Sequence, residues 1–106
     1  MNEEHGAIQL TIKQAEETIE RARKVEKLLQ DDLFNEIITD GYLKNDAVRL
    51  TMLLKPEADK NEIVNTMMTA KSIFSRYIGN IMEEGFVAEQ TLQEHLEMDE
   101  EDKTDG

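Results

Sequence analysis

Cysteine and tryptophan are absent from this 106-residue chain, and proline occurs once, at Pro56. Without cysteine there is no disulfide and no thiolate nucleophile. A zinc site would depend on carboxylates and the two histidines, His5 and His95. Glycine is limited to five residues and serine to Ser72 and Ser75. That leaves no phosphate-cradling glycine run, no nucleophile elbow and no HExxH pair. Adjacent acids such as Asp31 with Asp32, or Glu83 with Glu84, do not substitute, because neighbours on a helix point about 100° apart and cannot face one substrate bond. Glu94 and His95 would join a metal site only if other helices brought ligands to them. No set of residues supplies nucleophile, base and stabiliser together, so the expectation is a non-enzymatic protein with no cofactor and no metal. Apolar runs of bilayer-spanning length are missing too, and the opening Met1, Asn2, Glu3, Glu4 is acidic where a secretory leader would be basic. The chain is expected to be neither secreted nor transmembrane.

Basic residues are the other scarce class. Twelve Lys and Arg face 24 Asp and Glu, a net charge of −12. A protein displaces the counterions condensed on nucleic acid by supplying cations, so this balance argues against phosphate-backbone binding and equally against anionic membrane surfaces. Half of the excess lies in Thr91–Gly106, whose seven acids are offset only by Lys103. After Met98 no apolar side chain remains to offset the entropy of ordering the backbone. Residues 1–98 are therefore expected to form one helical domain, and 99–106 a disordered acidic tail that aids solubility.

What is present in quantity is helix-forming: Glu, Lys, Gln, Leu, Met and Ala dominate. Ile8, Ile12, Ala15, Ile19, Ala22, Val25 and Leu29 recur at spacings of four and three, one stripe of a long amphipathic helix. Its other face carries Glu17 with Arg21 and Glu20 with Lys24 in the favourable i,i+4 order. The narrow stripe, with Ala15 and Ala22 in it, permits close helix approach and suits either packing within the chain or a coiled-coil-like seam between copies. Next, Asp31 or Asp32 can cap a short helix containing Leu33, Phe34, Ile37 and Ile38, which Gly41 is expected to close in a left-handed conformation. Tyr42, Leu43, Ala47, Val48, Leu50, Leu53 and Leu54 outline a third helix ending before Pro56. A fourth, capped by Asp59 or Asn61 or begun at Pro56, carries a second long stripe: Ile63, Met67, Ala70, Phe74, Tyr77, Ile78 and Ile81. Gly85 is expected to break or kink it, with Phe86, Ala88, Leu92 and Leu96 adding a last turn or two.

The resulting expectation is an all-α protein, a small helical bundle in which two long amphipathic helices bracket two short ones. The residues expected to form its core or an interface are Ile8, Ile12, Ile19, Phe34, Tyr42, Leu50, Met67, Phe74 and Tyr77. Six methionines, Met67 and Met68 among them, are read as core filling, the alternative being an adaptable binding surface. Tyr42 and Tyr77 are read as half-buried rings with a wet hydroxyl, the alternative being interface anchors. Arg49 is read as a solvated Arg whose stem covers apolar surface, the alternative being a buried charge that pairs with Asp46, Asp40 or Glu36.

Asp32 to Leu54 reads DLFNEIITDGYLKNDAVRLTMLL. An acidic-aromatic turn (Asp32, Phe34) leads to a Gly-Tyr-Leu step (Gly41, Tyr42, Leu43) and then to an Ala-x-Arg-Leu helix (Ala47, Arg49, Leu50). This segment resembles a group of small helical proteins encoded by tailed bacteriophages. The resemblance covers about a fifth of the chain, implies a phage origin near virion-assembly genes, and implies no activity. Taken with the two stripes, it leads to the expectation of a protein-binding structural or assembly factor of a phage virion. Such a factor would associate with itself or with a phage structural protein, and reside in the host cytoplasm or the virion. Two alternatives stand beside it: an acidic host-directed inhibitor that mimics DNA or binds a host enzyme, and a small DNA-packaging or regulatory protein with a helix-turn-helix at Gly41. The third helix offers the latter only Lys44 and Arg49, with Asp46 between them, as groove-reading cations.

Overall fold

The computed structural model describes the backbone of residues 2–104 and the side chains of residues 11–98. Among the described residues there is no strand, and the fold is all-α. In chain order come α1 (Asn2–Leu29), α2 (Asp32–Phe34), a π-helical segment (Asn35–Asn45), α3 (Asp46–Met52), a single 3-10 turn (Ala58–Lys60) and α4 (Glu62–Thr104). The side chains of Ile8 and His5 lie outside the described residues. So do the side chains of the segment 99–106 expected to be a disordered tail; the helical backbone of α4 is described as far as Thr104.

The two short helices expected on either side of Gly41 are instead one unbroken run, 32–52. It starts where Asp31 accepts a hydrogen bond from the Phe34 N–H at 2.8 Å, the side-chain cap that the sequence offered. Gly41 does not close it, and no described glycine has a positive φ. The reason lies in the spacing of the half-buried face: Phe34, Ile38, Tyr42, Asp46 and then buried Leu50 recur every four residues. In an α-helix every fourth residue drifts about 40° around the axis, so this series would wander from one side to the other. The wider i→i+5 turn drifts the opposite way and keeps the series together. Gly41 fits this turn because a Cβ there would stand 3.0 Å from the Glu36 carbonyl oxygen, five residues back. After α3 ends at Met52, ahead of Pro56 as expected, the chain is pinned by Asn61. Its side chain donates to the Lys55 carbonyl and accepts from the Lys55 N–H, both at 2.7 Å. The Asn61 carbonyl accepts the first helical bond of α4, from the Asn65 N–H.

The chain divides into two units, one of Met1–Glu26 with Asn80–Gly106, the other Lys27–Gly79. In the first, the α1 stripe is buried by its own chain: Ile19, Ala22 and Val25 are buried, and Ile12 and Ala15 half-buried. Ile81 and Gly85 of α4 are the buried partners. Gly85 does not break α4, which runs on through it. A Cβ built on it would overlap the Ala22 Cβ, so the missing side chain is what lets α1 and α4 approach. Arg23 and Glu89 form an exposed pair at 3.5 Å, as do Glu20 and Lys24 at 3.6 Å; such surface pairs add little. In the second unit, Leu50 is the large side chain most completely buried, 1% exposed.

Candidate functional site

Within Lys27–Gly79, Asn61 just ahead of α4 and the α4 residues Val64, Met68, Lys71, Phe74 and Ile78 turn inward, each buried or half-buried. The expected stripe shares only Phe74 and Ile78 with this face. Lys71, outside the expected stripe, is 5% exposed. Its ammonium lies 2.6 Å from Asp46 Oδ2 and 3.4 Å from the centre of the Tyr42 ring. Tyr42 in turn meets Phe74 edge to face, with centroids 6.2 Å apart. The other carboxylate oxygen of Asp46 accepts from Arg49 Nε at 2.8 Å, with Arg49 Nη2 also 2.8 Å away. Arg49 thus pairs with Asp46 while staying 57% exposed over its side chain, as a solvated Arg does; the buried charge is Lys71. Lys71 was missed because a lone Lys among Thr, Ala and Ser reads as solvated; the available signal was its position three residues before Phe74 on the Val64, Met68, Phe74, Ile78 face.

This arrangement fastens α3 to α4. One carboxylate faces two cations, and the aromatic face completes the ammonium's surroundings, so the charge taken from water is compensated. Hydrogen bonds from Lys71 and then from Arg49 hold the Asp46 carboxyl below its usual value of 3.8. A depressed folded-state value means that its contribution is fully present above the unfolded value and is lost as pH falls through the lower, folded one. Asp46→Asn is expected to lower the melting temperature at pH 7 and to flatten its decline on acidification below pH 4. Adding Lys71→Met should recover most of the loss, because an apolar side chain of similar length needs no counter-charge. Thermal melts of the two variants from pH 2 to pH 7 check both statements, and a double variant less stable than Asp46→Asn alone would refute the pairing.

Of the other expected residues, Ile12, Phe34, Tyr42 and Phe74 are half-buried and Ile19 and Leu50 buried. Met67 and Tyr77 are exposed, Tyr77 by 62%, so the reading of Met67 as core filling and of Tyr77 as a half-buried ring is corrected, while the expectation that they belong to a core or an interface keeps its second half. With Ile63, Ala70 and Ile73 they form a second apolar face of α4, about 100° around the helix from the first; Ile63 is 76% exposed. The cause is that 63–78 carries apolar residues on two sides of one helix, and only one side has α3 and the π-helical segment to pack on. The outer face is also free of charge. Between Ile63 and Ser75 the only ionisable side chain is the buried Lys71, in a chain where charged residues make up 34%. Depletion of charge with retention of Met and aromatic residues is the composition of interface centres rather than of solvated helix faces. Among the described residues, no three or more His, Asp or Glu come together in a way that could hold a metal ion, and no helix is long and apolar enough to cross a membrane. In comparisons with known proteins the chain matches no family model, no curated protein and no solved structure.

Proposed function

We propose that this chain is a non-enzymatic, protein-binding structural or assembly factor, and that it serves a bacteriophage particle. The observation that carries the binding role is the uncharged outer face of α4 from Ile63 to Tyr77. Exposed apolar surface of this composition is costly in water and is retained where a partner covers it. The α1 stripe does not serve this purpose, since the chain's own α4 covers it at Ala22. The phage assignment rests on the segment from Asp32 to Leu54 and its resemblance to small phage proteins. Purified chain, titrated calorimetrically against the portal, scaffold and capsid proteins of the phage that encodes it, is expected to bind one of them. Met67→Glu, which places a charge on the exposed face without disturbing a buried group, should weaken that binding at least ten-fold. Absence of heat with all three proteins would overturn the virion-assembly role.

A further inference from the structure

We infer that the outer face of α4 is self-complementary and pairs antiparallel with the same face of a second copy of the chain. This deepens the protein-binding reading above by naming the occupant. Ile63, Met67, Ala70, Ile73 and Tyr77 fall on one side of the helix at its 100° per residue. They are arranged symmetrically in sequence about Ala70: Ile63 and Tyr77 lie seven residues to either side, Met67 and Ile73 three. Two antiparallel helices crossing at Ala70 therefore bring Ile63 of each copy to the level of Tyr77 of the other, and Met67 to the level of Ile73. The smallest side chain comes at the crossing, where it lets the backbones approach. A two-fold contact requires that one patch fit itself in this way.

Charge selects the same orientation. Glu62 and Arg76 are exposed, and among the described residues neither is in an ion pair. They are two heptads apart, so they share one flank of the stripe, and in antiparallel pairing like flanks meet. Crossing at Ala70 brings Glu62 of one copy within about 3 Å, along the axis, of the level of Arg76 of the other. A parallel pairing in register would leave them about 21 Å apart. Each copy carries a net charge of −12, so approach is least opposed where a face presents no acid.

Sedimentation velocity on the full chain over the micromolar range is expected to show a concentration-dependent dimer. Ala70→Glu should weaken it at least ten-fold with the far-ultraviolet circular dichroism unchanged. Glu62→Arg, which sets like charges together, should weaken it, and Glu62→Arg combined with Arg76→Glu should restore it. Because the chain has no cysteine, Ala70→Cys supplies an independent readout: mild oxidation should link two copies, whereas Arg21→Cys on the exposed side of α1 should not. A monomer throughout the range overturns the inference, as does a dimer that Ala70→Glu leaves intact or an Ala70→Cys chain that does not cross-link. A chain that stays monomeric yet loses binding to a particle protein on Ala70→Glu would assign the face to that protein instead, leaving the assembly role standing.

Discussion

Leu50→Ala is expected to lower the unfolding free energy by about 2–5 kcal/mol, the range for removing a fully buried leucine side chain from a site that cannot collapse around the gap. Leu50 is the last residue of the series Phe34, Ile38, Tyr42, Asp46, Leu50 and the most deeply buried. Its neighbours are held by the Asp46, Lys71 and Arg49 contacts and by a π-helical turn, so they have little freedom to close in. For a domain of this size such a loss corresponds to a fall in melting temperature of roughly 10 °C or more. Val48→Ala, two residues earlier on the exposed side of the same helix, should change the midpoint by about 0.5 kcal/mol or less, as expected of a surface substitution. Urea unfolding followed by circular dichroism measures both. A Leu50→Ala variant as stable as Val48→Ala would mean that 32–52 is not packed as described.

Gly85→Leu is expected to destabilise by about 1–3 kcal/mol through overpacking, since even a Cβ at this position overlaps Ala22. Gly85→Ala separates the two forces. Helix propensity alone would favour Ala over Gly by about 1 kcal/mol, yet the overlap should make the substitution unfavourable. Adding Ala22→Gly to Gly85→Ala moves the methyl group from one helix to the other and should recover most of the loss. Gly79 in the same helix supplies the contrast, because a Cβ there meets nothing within 4 Å. Gly79→Ala is accordingly expected to stabilise by about 1 kcal/mol. If Gly85→Ala raised stability as Gly79→Ala does, the close contact between α1 and α4 would be wrong.

These two glycines show where residue patterns become ambiguous. Gly85 reads as a helix breaker and Gly41 as a helix end, because glycine is permissive in isolation. In the structure one is a point of close approach and the other fits inside a wide turn, and neither takes a positive φ. Lys71 shows the same ambiguity for charge: it is buried because Asp46 and Tyr42, some 25 and 29 residues earlier in the chain, come to meet it. Arg49 and Asp46, three residues apart on one helix, were recoverable as a pair for the opposite reason, that their meeting is local.

Taken alone, the sequence determined the helical class, the α1 stripe, an aspartate cap at Asp31 or Asp32 and the end of α3 ahead of Pro56. Each follows from spacing or backbone chemistry within a few residues. Tertiary structure alone decided which of two apolar sides of α4 became interior. Val64, Met68, Phe74 and Ile78 turned inward while Ile63, Met67, Ile73 and Tyr77 stayed in solvent. Helical periodicity marks every apolar side of a helix equally; burial depends on which side a distant segment reaches, and that is set by packing rather than by spacing.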